Sequence, residues 1–329
     1  MRLAGLRFGR YVRRPARHRA AKIMKASSSF LLISPSALRR GWTGWVLSGA
    51  TARTGLDLVW AGVLDASPAA VDLGAEPQPG GWGLLILAGD DAPAKLASAV
   101  GVVGQPGSLA DMLGEGMVFA PPAGADVSAL LAKIAAAQPG PDVALDRPVA
   151  AGAERSLVLV KPDNFRFSGT RPGAVMDVFA RTGLPLIAMK VHHMSVAQGM
   201  EFYGPVLDAL TGRFGAEPGR EHWENIVEFM SGGRPSAVPA ADQTKPGTQK
   251  ILALVFEGPD AVAKIRTVLG PTDPAKAPPG TIRKEFGSSI MVNAAHASDS
   301  AENARHEIGL VGVADNSLKR YVESGATSA

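Results

Sequence analysis

Two stretches of the chain share one pattern, WGLLILAGDDAPAKLASAVG at residues 82–101 and ILALVFEGPDAVAKIRTVLG at residues 251–270. Each is an apolar run of strand length followed by a segment with the apolar spacing of a helix. Five identical residues recur 169 positions apart, Gly89, Asp91, Ala92, Lys95 and Gly101 matching Gly258, Asp260, Ala261, Lys264 and Gly270. The chain therefore contains two copies of one strand–helix unit.

Matches on either side extend the repeat. RTGL at residues 53–56 recurs at 181–184, and residues 107–135 lie on 280–308 at an offset of 173. The offset grows along the chain, so the second copy carries about 46 extra residues, mainly between 195 and 250. We predict a basic arm (1–28), a shortened first domain (29–137), a linker (138–154), a second domain (155–311) and a C-terminal tail (312–329). The linker is assigned from its Pro, Ala and Gly content.

Composition sets the protein class. The 329 residues are 46% hydrophobic and 19% charged, which fits about two globular domains and excludes a fully disordered chain. The absence of Cys excludes disulfides and thiolate metal sites. No apolar run approaches the ~18–20 residues that a membrane span needs. We therefore expect no membrane association and a cytoplasmic location.

The charge is uneven. Residues 1–25 hold nine basic residues and no acid, which leaves the rest, with 25 basic and 30 acidic residues, at −5. Such an arm is typical of a solvated tail, or of a start assigned too early with Met24 as the first residue. An organelle-targeting peptide and a polyanion-binding arm are the alternatives. We favour the solvated arm and expect no nucleic-acid binding.

The second copy alternates strands with helical patterns. Helices are predicted at residues 173–182, 195–210, 221–230, 260–269 and 300–308, and strands at 251–257 and 289–293. This is the pattern of an α+β sandwich, a small sheet with helices on one face. The adjacent His192 and His193 would point to opposite faces of a strand, one buried and one exposed.

The chemistry concentrates in NAAHASDS at residues 293–300. His296 stands just before a helix capped by Ser298, Asp299 or Ser300, where backbone N–H groups favour an anion. A neutral imidazole is a competent nucleophile toward phosphorus, and Glu307, further along the helix, could orient the ring. A histidine before a helix is more often structural, so this position alone does not decide its role.

Three cations could converge on a polyphosphate. The long Pro-rich loop at residues 270–283 ends in Arg283, Arg266 precedes it on a helix, and Lys161 follows the first strand of the second copy. The chain has no GxxxxGK[ST], GxGxxG or HExxH motif, and the six His residues lack metal-ligand spacing. We predict no protein-held metal.

Together these segments resemble the nucleoside diphosphate kinase family over residues 156–310. The resemblance rests on KPD at 161–163, GPTDPAKAPPGTIRKEFG at 270–287 and NAAHASDSAENARHEIGL at 293–310. It implies a ferredoxin-like α+β fold with an antiparallel sheet and helices on one face, present twice with the first copy shortened. It also implies a ping-pong reaction in which His296 takes the γ-phosphoryl group of a nucleoside triphosphate and passes it to a nucleoside diphosphate.

The resemblance also implies roles for the other residues. Lys161 and Asn293 would contact the ribose hydroxyls, with Lys161 also reaching phosphate. Arg266, Thr272 and Arg283 would hold the phosphates. Tyr203 would buttress His296, while Ser298 and Glu307 support its ring. Mg²⁺ would arrive on the phosphates of ATP and other nucleotides, and a homo-oligomer is expected. The alternative is a non-catalytic nucleotide-binding or assembly protein that uses this fold as a scaffold.

Three features depart from the family pattern. His222 stands where the family stacks the base, so stacking falls to His222 or to Trp223. Ala297 replaces a usual Gly, and residues 233–249 form an insertion whose composition predicts a disordered loop.

The first copy lacks the chemical residues. Its equivalents of Lys161, Arg266, Arg283, Asn293, His296 and Ser298 are Ser34, Ala97, Ala110, Ala120, Ala123 and Ala125. We predict that this copy is inactive and serves packing.

Overall fold

The computed structural model describes residues 27–64, 66, 70–138, 145 and 147–325. Almost all of the predicted basic arm and part of the predicted linker lie outside these residues. The first unit contains β1 (Ser28–Ile33), α1 (Pro35–Arg39), α2 (Thr43–Thr54), β2 (Asp57–Leu64), β3 (Trp82–Ala88), α3 (Ala92–Val100), α4 (Leu109–Leu113), β4 (Val118–Phe119) and α5 (Val127–Ala136).

The second unit follows the same order with additional helices. It contains β5 (Glu154–Val160), α6 (Arg171–Ala180), β6 (Leu186–His192), α7 (Val196–Phe202), α8 (Gly204–Phe214), α9 (Ala216–Ser231), β7 (Ile251–Gly258), α10 (Ala261–Leu269), α11 (Ile282–Phe286), β8 (Ala295–Ala297) and α12 (Ala301–Val311). A last helix, α13 (Leu318–Glu323), lies in the segment that the sequence assigns to a tail.

Each unit forms a four-stranded antiparallel sheet, in the order β2-β3-β1-β4 and β6-β7-β5-β8. Irregularities recur at repeat-equivalent places. The edge strands β2 and β6 shift register opposite Leu87 and Phe256, which are 169 residues apart, and Asp91 and Asp260 both adopt positive φ, at 55° and 53°. Shared irregularities are what a duplication predicts, because regular pairing alone would not reproduce them. The fold is α+β and ferredoxin-like, as predicted.

Helices cover both faces of each sheet, so the expectation of one covered face is corrected. Along β5, Val158 and Val160 face one apolar cluster that includes residues of α6 and α10. Leu157 and Leu159 face another, formed with residues of α7 and α9. The near-continuous apolar run of β5 is the sequence signature of this two-sided burial.

The two units meet through equivalent elements, β2 beside β6 and α2 against α6. The helices touch backbone to backbone, because a Cβ built on Gly44 would lie 2.4 Å from the carbonyl oxygen of Gly173. Ser48 Oγ donates to the carbonyl of Thr170 at 3.1 Å, and Thr51 Oγ1 donates to that of Gly169 at 3.0 Å. Like therefore packs against like, as in a two-fold dimer, but within one chain.

The seam between the units contains a titrating carboxyl. Burial raises the pKa of Asp177 on α6 from 3.8 to about 7, and a hydrogen bond from the backbone N–H of Trp45 offsets part of the rise. The folded chain therefore keeps this proton up to about pH 7, whereas the unfolded chain releases it near pH 4. Asp177 therefore destabilises the folded chain more and more as the pH rises from about 4 to about 7.

Asp177→Asn should remove that loss. We expect the variant to match the wild type in urea midpoint near pH 4 and to become progressively more stable than it up to about pH 7. Asp208→Asn, an exposed carboxylate on α8, controls for the loss of one negative charge. Parallel pH curves for Asp177→Asn and the wild type would contradict the prediction.

Candidate active site

The site is centred on the imidazole of His296 in β8. Its Nε2 lies 3.0 Å from Oε1 of Glu307, which α12 presents two turns after its Ser300 cap. Ser298 Oγ donates to the other oxygen of Glu307 at 2.5 Å and is itself fixed by the backbone N–H of Leu157 at 3.3 Å. The carboxylate thus sets the ring orientation. Nδ1 has no hydrogen-bond partner among the described residues.

Two aromatic rings from the end of α7 pack edge-on against His296. The Phe202 ring lies 5.0 Å away and the Tyr203 ring 6.4 Å away, between centroids. Tyr203 is buried, and burial raises the pKa of its hydroxyl. The structure brings Tyr203 to the site as the sequence predicts. It also adds Phe202, which the sequence analysis did not single out although Phe202 directly precedes Tyr203 in the chain.

Lys161 is the most deeply buried cation of the site. Its Nζ donates to the carbonyl of Met291 at 2.6 Å and to Oδ1 of Asn293 at 3.0 Å, and it lies 5.0 Å from the centre of the Phe229 ring. Burial lowers the pKa of Lys161 to about 8; nearby Asp163 opposes the shift and Arg283 adds to it. The ammonium group is therefore held charged at neutral pH at an unfavourable desolvation cost.

Arg283 and Arg266 supply two guanidinium groups. Arg283 donates to the carbonyl oxygens of Gly270 at 3.0 Å and Ala295 at 3.3 Å, while its buried Nε has no hydrogen-bond partner within the described residues. Burial and the positive charge of Arg266 lower the pKa of Arg283 to about 10. Within the described residues, neither guanidinium group nor the Lys161 ammonium forms an ion pair with a carboxylate, so no direct partner neutralises these three charges.

The backbone bends sharply before the histidine. Ala294 adopts φ 71°, a conformation that side chains other than Gly rarely take. Its carbonyl accepts from the backbone N–H of Lys161 at 2.9 Å and from Nδ2 of Asn164 at 2.7 Å. These bonds hold the bend that separates Asn293 from His296. Asn164 is another site residue that the sequence analysis did not single out.

This bend overturns the strand predicted at residues 289–293. Ser288 and Ser289 both donate their N–H groups to the carbonyl of Val292, which closes a turn. The strand forms only after the bend, where Ala295, His296 and Ala297 pair with β5. Ala297 has ordinary negative φ, so the Gly usual in the family is not required here.

The remaining predicted residues are placed as follows. Thr272 lies in the exposed loop, where its carbonyl accepts from Nδ2 of Asn293 at 3.0 Å. The His222 ring lies on α9, half-buried, 5.0 Å from the Phe214 ring. Trp223 is only 6% exposed and donates its Nε1–H to the carbonyl of Tyr203 at 2.9 Å. Trp223 is therefore part of the core and is excluded as a stacking surface.

The predicted disorder of the insertion at residues 233–249 is wrong. Arg234 Nε pairs with Glu224 of α9 at 2.8 Å, and Ser236 Oγ donates to the same carboxylate at 2.8 Å. The carbonyl of Gln243 accepts from the backbone N–H of Ala197 at 2.9 Å. Composition could not reveal this order, because it depends on a buried carboxylate that needs partners.

The structure bears on the adjacent histidines and on groups that could bind a metal. His192 is buried and His193 is exposed, which confirms the alternation; burial lowers the pKa of His192 to about 4. Across the described residues, no group of three or more His, Asp or Glu could hold a metal ion. In the same part of the chain, no helix is long and apolar enough to cross a membrane.

In the first unit, small residues occupy the chemical positions. Ser34, the equivalent of Lys161, is fully buried and caps α1 by accepting from the N–H of Ala37 at 3.3 Å. Ala120, the equivalent of Asn293, packs against the apolar core. These residues contribute packing and capping rather than charge.

Comparison with known proteins matches the second unit. A family model described as nucleoside diphosphate kinase matches residues 154–314. The nucleoside diphosphate kinase of Anaeromyxobacter sp. (strain Fw109-5) is 38% identical over 158 residues, covering 47% of this chain and 86% of that protein. The enzyme of the same name from Helicobacter pylori (strain Shi470) is 37% identical over 155 residues, covering 47% and 92%. A crystal structure of the Aquifex aeolicus nucleoside diphosphate kinase is 32% identical, with a TM-score of 0.36, over 48% of this chain and 94% of that one.

The ordered insertion predicts a measurable stability effect. Arg234→Ala should lower the free energy of unfolding by about 1–3 kcal/mol, because it leaves the buried Glu224 carboxylate short of a partner. Lys245→Ala breaks an exposed pair with Asp242 in the same segment and should cost less than about 0.5 kcal/mol. Urea denaturation of both variants checks this. Equal effects would show that the insertion does not stabilise α9.

Proposed function

The chain belongs to the nucleoside diphosphate kinase family, and we propose that its second unit moves the γ-phosphoryl group between nucleotides through His296. The observation that carries the proposal is the His296–Glu307–Ser298 arrangement, with Nε2 of the ring 3.0 Å from the carboxylate. A fixed imidazole with one unengaged nitrogen, next to Ala295 whose carbonyl accepts from Arg283, suits nucleophilic attack on phosphorus.

In the first half-reaction, the lone pair of Nδ1 forms a bond to the γ-phosphorus. The bond from that phosphorus to the bridging oxygen breaks, and the nucleoside diphosphate leaves with the electron pair. The proton on Nε2 stays in place, and the Glu307 carboxylate stabilises the positive charge that develops on the ring. A second diphosphate reverses these steps and leaves as the triphosphate, which regenerates His296.

The exposed guanidinium of Arg266 and the half-buried one of Arg283 provide the phosphate site. Arg266 and Arg283, with the Thr272 loop, hold the transferring phosphates, since guanidinium groups without carboxylate partners favour a polyanion. Mg²⁺ enters on the nucleotide phosphates as part of the substrate. Lys161 Nζ donates a hydrogen bond to Oδ1 of Asn293 at 3.0 Å. Both side chains contact the ribose hydroxyls of the bound nucleotide, and Lys161 also contacts phosphate.

The base is held by stacking rather than by edge recognition. His222 lies seven residues before Phe229 on α9, which is two turns or about 10 Å along the helix. Phe229 underlies Lys161, and residues seven apart lie on the same face of a helix, so His222 extends that face away from the proposed sugar site. A stacking contact from His222, supported by Phe214, tolerates any base.

We also propose that the two units arose by tandem duplication. The first unit then contributes no second active site. It offers Ser34, Ala97, Ala110, Ala120 and Ala123 where the second unit has its cations and histidine. Domain bounds of 29–137 and 155–311 follow from the same repeat. A purely non-catalytic scaffold is not favoured, because a scaffold need not keep Lys161, Arg266, Thr272, Arg283, Asn293 and His296 together.

Incubation of the full chain with γ-labelled ATP tests the function directly. We expect acid-labile, base-stable label on the wild type, loss of the label in His296→Ala, and its transfer to added nucleoside diphosphate. His306→Ala, an exposed histidine on α12, is the matched control and should label normally. Label that survives His296→Ala would refute the catalytic assignment.

Base tolerance tests the stacking site. Adenine, guanine and pyrimidine diphosphates should accept phosphate from the labelled protein with kcat/KM values within about tenfold of one another. His222→Ala should raise KM by roughly 5- to 150-fold for all of them, the range expected for one lost stacking contact. A preference beyond about a thousandfold would require hydrogen bonds to the base edge and would contradict stacking.

A further inference from the structure

A short segment links the helix that carries Glu307 to the first unit. Residues 312–323, which we call the clasp, leave the end of α12 and finish in α13. At its start, Lys190 Nζ donates to the carbonyls of Val311 at 3.0 Å and Gly312 at 2.8 Å. Gln198 Nε2 donates to the carbonyl of Leu310 at 2.9 Å. The C-terminal end of α12 is therefore tied to β6 and α7, one turn beyond Glu307.

The middle of the clasp bridges the two sheets. Asn316 Nδ2 donates to the carbonyl of Ala61 on β2 and to that of Met189 on β6, both at 2.8 Å. These are the two edge strands that meet at the seam. One side-chain amide therefore joins the first unit, the second unit and the segment that follows α12.

The end of the clasp is packed on the first unit. Leu318 is 3% exposed and belongs to the apolar cluster that contains Trp60 and Leu131. The Tyr321 ring lies 6.3 Å from the Trp60 ring. In the described structure this helix draws its core contacts from the first unit rather than from the unit that carries His296.

The ends of α12 matter for its position because its packed face is narrow. Within α12 only Ala304 and Val311 are buried, while Ile308 and Leu310 pack half-buried against the core of the second unit. A helix with so narrow a packed face depends also on how its ends are held. Its N-terminal end is capped by Ser300, and its C-terminal end is held by Lys190 and Gln198 and continues directly into the clasp.

We propose that the first unit positions the Glu307 carboxylate, and through it the His296 ring, by anchoring the clasp. Asn316 and Tyr321 are then positioning residues that touch neither nucleotide nor phosphorus. The inactive copy thus contributes to the rate of phosphoryl transfer without supplying a chemical group. This inference rests on the function proposed above for His296.

Variants in the full chain test it. Asn316→Ala and Tyr321→Ala should lower kcat for phosphoryl transfer about 3- to 30-fold, because small displacements of catalytic groups are costly. KM for ATP should stay within about twofold of the wild type, since the cations lie on other elements. Lys319→Ala, an exposed residue on the same helix, is the matched control and should leave both constants unchanged.

A double-mutant cycle separates positioning from general stability. If the clasp acts through Glu307, Asn316→Ala should have no further effect on kcat in a Glu307→Gln background. The same loss in both backgrounds would overturn the proposal, as would clasp variants that melt earlier yet transfer phosphate at the wild-type rate. Failure of the wild type to take label at all would refute the proposed function, and this inference with it. Normal labelling of the wild type with unchanged variants would refute the inference alone.

Discussion

The carboxylate of Glu307, held between His296 Nε2 and Ser298 Oγ, is the contact on which the second unit depends. It engages Nε2 of the imidazole, while Nδ1 has no hydrogen-bond partner among the described residues. This arrangement depends on the relative positions of three elements. β8 carries the ring, α12 carries the carboxylate, and β5 holds the serine through the backbone N–H of Leu157. The rings of Phe202 and Tyr203 pack edge-on against the imidazole.

Lys161 and Arg283 are cations with no carboxylate partner within ion-pair distance among the described residues, which is the basis for the proposed phosphate site. Lys161 and Arg283 have their pKa values lowered to about 8 and about 10, mainly by desolvation. Carbonyl oxygens satisfy part of their hydrogen-bonding capacity without neutralising them. A nucleotide phosphate would supply the missing negative charge, so the cost of burying these cations is offset when substrate binds.

The two units share one strand order, but only the second carries the residues of the candidate site. The first unit has the same strand order, register shift and positive-φ Asp as the second unit. At the positions of the second unit's cations, asparagine and histidine, the first unit has Ser or Ala. What it keeps is the surface that meets its neighbour, through α2 and β2. Backbone contact at Gly44 and Gly173 leaves no room for side chains, so this seam constrains both helices.

Local patterns determined much of what this chain is. The repeat, the α+β class, the burial of His192 beside the exposed His193, and the pairing of His296 with Glu307 follow from residue types and spacing, whereas the place of Tyr203 beside His296 came from the resemblance to the family. Each depends on interactions within a few residues or on a motif that keeps its shape. Sequence could also show that Ser34 and Ala120 carry no site chemistry, since that is a matter of residue type alone.

Tertiary structure decided the features that depend on distant partners. Helices cover both faces of each sheet, and the insertion is ordered because Glu224 is buried and needs Arg234 and Ser236. Trp223 turns inward because its indole N–H finds the carbonyl of Tyr203, which leaves stacking to His222. Asn316 joins carbonyls from two sheets, one of them 255 residues earlier in the chain. No local pattern encodes such a contact, because its energy exists only once packing has brought the two strand edges together.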